Sequence, residues 1–327
     1  MFSHPIKIGV IGCANIAERF VLPAIQSLPE IFTLQAVASR NADKANDFAQ
    51  KFKTNPEYAY SNLINREDID AVYIPLPNSE HYKWIKLALL AGKHVLVEKS
   101  MACDLAEVEE LNALAKGMTL VLLENFQFRF HTQLTKIKSI IDEGGIGDIR
   151  VIKSSFGFPP FADKNNIRYS KELGGGALLD AGAYPLKIAQ ELLLEDLYVD
   201  SSSLFVDEDI GVDIWGAAQL KSKSSNVVVQ ASFGFDNAYQ CNVEIWGSKG
   251  TLKSNRIFTS PPGVKATLEL SGNEGVEMIE VEACNHFINM ITYFASLIKD
   301  PIKAGEEYSA NIKQAKLIEQ LRGKVSE

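Results

Sequence analysis

Apolar residues follow two different rhythms along this chain, and the change between them falls after Glu124. Before that point, short continuous apolar runs alternate with stretches of helical period. Ile6–Ile11 is nearly unbroken and leads into a glycine, which is the pattern of a strand buried on both faces of a parallel sheet. The alternation predicts further strands at 33–38, 70–75, 94–97 and 119–123. Helices are predicted from the glycine turn to about 28, and at 41–53, 79–91 and 104–116. Repeated strand–helix order implies right-handed crossovers and a doubly wound parallel sheet, the Rossmann arrangement.

After Glu124 the period shortens. A helix at 130–142 leads through a glycine-rich turn into a strand near 149–158, and the apolar segment Ala177 to Leu194 has helical spacing. Period-two runs follow at 199–206, 212–220, 226–235, 239–246, 251–254, 265–270 and 276–281. Gly, Ser and Asn turns separate them, as in a large, mainly antiparallel open sheet. Helices at 284–298 and 309–322 end the chain. The fold class is therefore an α/β Rossmann domain, 1–124, followed by an α+β domain, 125–327. The last helix, 309–322, is free to pack back on the first domain. The sheet requires a helix layer on one face, and its other face is solvated or a dimer surface.

Composition narrows the function classes. At 327 residues, the chain has the length of two ordinary domains and needs no disulfide or structural metal to build its cores. Its net charge of −8 opposes a general affinity for nucleic acid or anionic membranes. Cys13, Cys103, Cys241 and Cys284 are scattered without a CxxC pair, which fits reduced thiols in a cytoplasm. His4, His81, His94, His131 and His286 show no metal-ligand spacing, so no metal is expected. The start of the chain lacks the features of a signal peptide, and no apolar run reaches the ~20 residues of a membrane span.

Candidate chemistry gathers where Rossmann ligands bind, at the carboxyl ends of the strands. Gly12-Cys13-Ala14-Asn15-Ile16-Ala17 occupies the position of the G-x-G-x-x-G turn and reads G-x-A-x-x-A. Gly12 suits the tight turn and Ala17 suits close helix–strand packing, while Ala14 departs from the pattern where the backbone approaches the pyrophosphate. After the second strand stand Ser39 and Arg40, not the acid that binds the ribose of NAD. A guanidinium and a hydroxyl there fit a 2′-phosphate, so NADP fits better than NAD; the alternative is a solvent-facing loop arginine. Pro75, Leu76 and Asn78 follow the third predicted strand, in position to line the cofactor. His81 fits a loop anchor as well as a cofactor contact. Glu98 and Lys99 close the strand that begins at His94. Lys99 is placed to polarise a carbonyl or favour the anion of a neighbouring phenol, and a surface Glu–Lys pair is the plainer reading.

The second domain offers Gly174–Pro185, three glycines running into a helix. Asp180 and Tyr184 lie at i and i+4 and share a face with Ala177 and Ala181. That pairing suits the handling of a substrate hydroxyl or carbonyl, and equally a buried helix start with an incidental tyrosine. Arg168 is available either to an anionic substrate group, such as a diphosphate, or to a loop ion pair. Asn125, Phe128, His131, Tyr239 and Trp246 are further candidates for a pocket wall.

Three motifs carry a resemblance over nearly the whole length: the glycine turn, Ala-Gly-Lys-His-Val-Leu-Val-Glu-Lys at 91–99, and Gly-Gly-Gly-Ala-Leu-Leu-Asp-x-Gly-x-Tyr-Pro at 174–185. The chain resembles the glucose–fructose oxidoreductase / inositol dehydrogenase (Gfo/Idh/MocA) family. Ser100 stands where that family has proline. Gly12-Cys13-Ala14-x-Ile16-Ala17-x-Arg19, Glu124-Asn125-Phe126 with Phe128, His131-x-Gln133 and Ile167-Arg168-Tyr169 look more narrowly like the nucleotide-sugar 3-ketoreductases, in which alanine at position 14 is usual. Similar motifs occur in NADP-dependent xylose and dihydrodiol dehydrogenases.

The resemblance implies hydride transfer between NADP(H) and a sugar carbon, with a carbohydrate or nucleotide sugar as substrate. It assigns Lys99, Tyr184 and Asp180 as catalytic residues on the two sides of a cleft between the domains. Tyr184 or Lys99 is the proton donor, and Asp180 holds a substrate hydroxyl and orients the lysine. Asn125, Phe128, Arg168 and Tyr239 would face the sugar, and the open sheet would make a homodimer or homotetramer. A non-catalytic NADP or sugar sensor and an NAD-dependent glycosidase are the alternatives within the family.

Overall fold

The most apolar runs of the chain form the middle of a six-stranded parallel sheet. In the computed structural model, which describes residues 4–323, its strands are β1 (Ile6–Ile11), β2 (Phe32–Ala38), β3 (Asn55–Glu57), β4 (Ala71–Ile74), β5 (His94–Glu98) and β6 (Leu122–Asn125). They lie in the order β3-β2-β1-β4-β5-β6, the doubly wound arrangement whose order reverses beside β1. Ile8, Val10, Ile11, Val72 and Leu96 are fully buried, as continuous apolar strands covered on both faces must be.

The covering helices begin with a π turn, Ala17–Val21, that runs into α1 (Leu22–Gln26). It is followed by α2 (Ala42–Phe52), α3 (Tyr60–Ile64), α4 (Asn78–Leu90) and α5 (Leu105–Gly117). Asn41 and Asp104 cap α2 and α5 by accepting the amides of Lys44 and Glu107. Each such cap contributes about 1 kcal/mol. β3 and α3 were not predicted. A three-residue strand containing Pro56 and a five-residue helix are too short to show a period.

The chain forms two units, divided one residue after the expected position, with a C-terminal segment that belongs to the first unit. The first unit contains the chain through Asn125 together with Phe287–Ile312; the second contains Phe126–His286 and the chain from Lys313 on. The last two helices, α8 (His286–Lys299) and α9 (Pro301–Gly323), are separated from the sheet by the sequence but not by their contacts. Phe287 stacks on Phe20 with centroids 4.7 Å apart, and the Tyr308 hydroxyl donates to the Leu120 carbonyl. Asn311 donates to Asn112 Oδ1 (3.1 Å) and to the Leu122 carbonyl (3.2 Å). Past Ile312, α9 turns to other partners. Gln314 donates to the Ala183 carbonyl (2.9 Å), and Gln320 accepts the Val199 amide (3.0 Å). α9 starts at Pro301, not at 309, because proline fits the first turn of a helix and the polar stretch around Gly305 hides the period.

In the second unit α6 (Thr132–Asp142) precedes β7 (Ile149–Gly157), and a π turn at Leu178–Gly182 runs into α7 (Ala183–Leu193). Then come β8 (Leu197–Asp207), β9 (Val212–Ser222), β10 (Val228–Gly234), β11 (Gln240–Gly247), β12 (Gly250–Ser254), β13 (Ala266–Gly272) and β14 (Gly275–Val281). The eight strands form one sheet in the order β14-β13-β12-β11-β7-β10-β9-β8. Only the β7–β10 pairing is parallel. The π turn lies on one face, where a Cβ on Gly182 would stand 3.0 Å from the Phe233 ring. The opposite face carries exposed Phe205, Trp215, Trp246 and Met278, and Phe205 stacks on Trp215 at 5.5 Å. No helix among the described residues is long and apolar enough to cross a membrane.

Candidate active site

In the first unit, the candidate residues gather at the carboxyl ends of the parallel strands. Gly12 turns the chain out of β1 with φ of +115°, a region that glycine enters without steric cost. A Cβ there would stand 2.7 Å from Leu76 Cδ2, so the turn is open only because the residue is glycine. The helical run that begins at Asn15 presents its first amides beyond this turn, the usual seat of a phosphate. Cys13 is partly buried there and its thiol donates to the Lys44 carbonyl at 3.7 Å; burial pushes its pKa up to about 11. It is a packed thiol, not a reactive one.

Ser39 and Arg40 leave β2 side by side. Ser39 is buried, and its hydroxyl accepts the Asn41 amide at 3.1 Å. The exposed Arg40 guanidinium lies 5.6 Å from the centre of the Tyr60 ring, which meets Trp84 edge-on at 5.0 Å. Tyr60 was missed by sequence reading, because it sits on the short α3 that shows no period.

Pro75 and Leu76 follow β4, and Asn78 opens α4. Of the two readings of His81, the structure shows the loop anchor. Its ring is fully buried, with Nδ1 2.7 Å from the Ser100 carbonyl and Nε2 2.8 Å from the Leu76 carbonyl. Both nitrogens are committed to backbone, so His81 ties the Leu76 loop to the segment after Lys99. Burial carries its pKa down to about 4, against the two carbonyls, which favour the charged ring.

Glu98 and Lys99 end β5, and the Lys99–Ser100 peptide is cis. Glu98 Oε1 accepts from the Tyr73 hydroxyl (2.6 Å) and from Asn125 Nδ2 (2.7 Å). Removal from water raises the Glu98 pKa, and these two donors and Lys99 offset part of the rise. Asn125, expected to face the sugar, closes β6 beside Glu98 in the first unit, buried, with Oδ1 lacking a hydrogen-bond partner. That orphaned acceptor sits at the cofactor end of the sheet.

In the second unit, two of the three glycines, Gly175 and Gly176, have separate steric tasks. Gly175 passes so close to the Arg168 carbonyl that no Cβ fits, and Gly176, at φ +109°, lies against the Asp213 carboxylate. The Gly176 amide donates to the Arg168 carbonyl and the Gly175 amide to the Ser170 carbonyl, both at 2.9 Å. Asp213, on β9, accepts the Leu178 amide at 2.5 Å and caps the helical run carrying Asp180. Burial raises the Asp213 pKa and the backbone donors hold it back. Sequence reading had no signal for this aspartate, which lies on a strand far along the chain.

The start of the segment predicted as one α-helix, 177–194, is a π turn, and Asp180 projects from it. Of the two readings of Arg168, the structure shows the ion pair. Its Nε donates to Asp180 Oδ2 at 2.5 Å while its guanidinium lies 4.8 Å from the Phe161 ring centre. Tyr184 lies in the first turn of α7 with its ring among Phe126, Phe128, Phe156 and Phe258, whose centroids lie 5.0–5.8 Å away. Its hydroxyl donates to Gln127 Oε1 at 3.5 Å. Phe128 is buried in this nest, whereas Tyr239 is half-exposed and shares a 2.7 Å hydrogen bond with Thr259. Trp246 does not join them: it stands on the face of the sheet opposite the π turn, with Lys153 5.7 Å above its ring.

A dinucleotide turn on a doubly wound sheet, joined to a unit that holds an aspartate and a tyrosine on a glycine-gated helix, defines a nicotinamide-dependent oxidoreductase. Comparison with known proteins names the family. Residues 6–126 match the model described as "Oxidoreductase family, NAD-binding Rossmann fold", and residues 134–253 match the GFO/IDH/MocA C-terminal domain. The chain belongs to the Gfo/Idh/MocA oxidoreductase family. It is 38% identical over 320 residues to the dTDP-3,4-didehydro-2,6-dideoxy-alpha-D-glucose 3-reductase of Actinomadura kijaniata, covering 98% of this chain and 96% of that one. The protein of that name from Saccharopolyspora spinosa is also 38% identical, over 321 residues and 96% of each chain. The structure of KijD10, a 3-ketoreductase from Actinomadura kijaniata in complex with NADP and TDP-benzene, superimposes with a TM-score of 0.93. The match has 38% identity and covers 98% of each chain.

Proposed function

We propose that this protein uses NADPH to reduce the keto group at carbon 3 of a nucleotide-linked deoxysugar. The observation that carries the reading is the likeness, along 98% of the chain, to 3-reductases of dTDP-sugars, with Lys99, Asp180 and Tyr184 all present. The residues at the strand ends fit the cofactor. Gly12 leaves a cradle that a Cβ would fill, Ser39 and Arg40 suit a 2′-phosphate, and Asn125 Oδ1 is an acceptor awaiting a donor. When bound, reduced nicotinamide supplies the hydride that reaches the carbonyl carbon.

The chain's own groups manage the charge left on oxygen. Tyr184 gives its phenolic proton to the alkoxide as it develops, and its aromatic nest keeps water from competing. The ammonium of Lys99 favours negative charge on that oxygen and on the phenolate left behind. Asp180, oriented by Arg168, accepts a hydroxyl of the sugar, and Tyr239 and Phe128 bound the substrate side. Positioned proton transfer of this kind contributes roughly 10²–10⁴-fold. The exposed aromatic face of the large sheet, around Phe205, Trp215 and Trp246, is where a second copy would pair to give a homodimer or homotetramer. Four free cysteines suit a reducing compartment, the cytoplasm.

The test is a mixture of NADPH, the purified protein and a dTDP-3-keto-2,6-dideoxyglucose prepared enzymatically. Loss of nicotinamide absorbance is expected, with a product two hydrogens heavier than the substrate. Absence of turnover here, alongside NADP reduction by xylose or a dihydrodiol, would overturn the reading.

A further inference from the structure

The sequence offers no metal-ligand spacing, yet the fold of the second unit brings three metal-ligating side chains together. One donor atom from each of His131, Cys284 and His286 lies within 4.8 Å of the other two. The imidazole rings of His131 and His286 stand 5.3 Å apart, centre to centre. His131 precedes α6, Cys284 lies on the segment between β14 and α8, and His286 opens α8.

We propose that His131, Cys284 and His286 bind a zinc ion. Two imidazoles and a thiol form the donor set that borderline-soft zinc prefers, and no carboxylate is present to favour magnesium or calcium. A second observation also points to a ligand. His131 is 1% exposed, and its Nδ1 accepts the Gln133 amide at 3.1 Å, yet its buried Nε2 has no hydrogen-bond partner. An outer partner is in place as well: the Thr132 hydroxyl reaches Cys284 Sγ at 3.5 Å and the Glu282 carbonyl at 2.8 Å. Such second contacts orient metal ligands. Gly263 fixes the loop from the other side by donating its amide to the Cys284 carbonyl at 2.9 Å.

Zinc holds nitrogen at about 2.0–2.1 Å and sulfur at about 2.3 Å, so the three donors must close in by about 1 Å. Cys284 is only partly buried, so water can reach the fourth position. Coordination through His131 Nε2 moves the ring proton to Nδ1, so the ion displaces the cap on the Gln133 amide. The Cys284 thiol gives its proton to solvent as it binds.

The test titrates the full chain with zinc alone in competition with a chromogenic chelator, and with cobalt(II) as a spectroscopic substitute. One zinc per chain is expected, with a thiolate-to-cobalt charge-transfer band and tetrahedral ligand-field bands. Cys284→Ser and His286→Gln should each weaken binding at least about 100-fold, and Thr132→Val about 10-fold. His131→Asn removes the imidazole but keeps a good cap, so it separates loss of the ligand from loss of the helix start. Circular dichroism and the melting temperature without metal establish that each variant is folded. The absence of stoichiometric zinc binding by the parent chain overturns the proposal, as does a zinc affinity unchanged in folded Cys284→Ser and His286→Gln.

Discussion

Arg168 and Asp180 hold each other: guanidinium Nε donates to the carboxylate at 2.5 Å across twelve positions of sequence. The pair is half-screened, with Asp180's side chain 14% and Arg168's 34% exposed, so its worth is orientation more than stability. An aspartate held this way presents its other oxygen in a fixed direction. Arg168→Ala and Asp180→Asn are each expected to lower kcat/KM by about 10- to 100-fold, the effect of one hydrogen bond to a charged group. The double variant should cost little more than either single one, because both remove the same oriented carboxylate. Multiplicative losses in the double variant would show that the two residues act separately.

Tyr184→Phe isolates the proton from the packing. The ring keeps its four phenylalanine neighbours and loses only a hydroxyl whose bond to Gln127 is 3.5 Å long. Stability should change by less than about 1 kcal/mol, the worth of one weak neutral hydrogen bond. kcat should fall by roughly 10²–10⁴-fold if that hydroxyl is the donor. Lys99→Met should also lower kcat. Steady-state rates of the two variants, measured beside their melting temperatures, make the assignment of donor: a near-normal kcat in folded Tyr184→Phe would transfer the role to Lys99.

Arg40 over Tyr60 predicts how the cofactor is chosen. The aromatic face holds the guanidinium near the end of β2, where Ser39 is also buried. Removing the cation with Arg40→Ala should raise the KM for NADPH by about 10- to 100-fold while leaving that for NADH nearly unchanged, since a lost charge-assisted contact costs about 1.5–3 kcal/mol. Tyr60→Leu should produce a smaller change of the same sign, because cation–π support is worth about 0.5–1 kcal/mol at an exposed site. Initial rates with the two cofactors give the ratio directly.

Legibility in the sequence followed the length over which each feature repeats. β1, β4 and β5 are continuous apolar runs, and β7 to β14 alternate for five residues or more, so their positions could be read within a few residues. The Gly174–Gly176 bend could be read as special, though not that Gly176 lies on Asp213. Contacts that close only in three dimensions left no local trace. Arg168 and His81 each carry two open readings in the sequence, and the contacts that favour one, the Asp180 carboxylate and the two backbone carbonyls, come from distant positions. The place of Phe287–Ile312 in the first unit was hidden for a related reason. Phe287 of α8 stacks on Phe20 of the first helical turn and Asn311 of α9 bonds the Leu122 carbonyl of β6, and no property of their own sequence announces it.

Burial of His81 makes the protein's stability depend on pH in a defined window. An unfolded histidine titrates near 6.5, and burial lowers the folded value to about 4. Between these values the unfolded chain binds a proton that the folded chain refuses, so stability rises with pH there. The contribution is complete above pH 6.5 and is lost as the pH falls toward 4, amounting to about 3 kcal/mol at most. The steepest slope from this one group is about 1.4 kcal/mol per pH unit. His81→Gln keeps a donor for one of the two carbonyls and does not titrate. It should therefore be less stable than the parent at pH 7.5, by the hydrogen bond and packing it loses, yet show a flatter stability curve between pH 6.5 and 4.5. Urea unfolding at half-unit pH steps measures both curves. Parallel curves for parent and variant would mean that His81 takes up its proton inside the folded protein, donating to Leu76 and Ser100 at once.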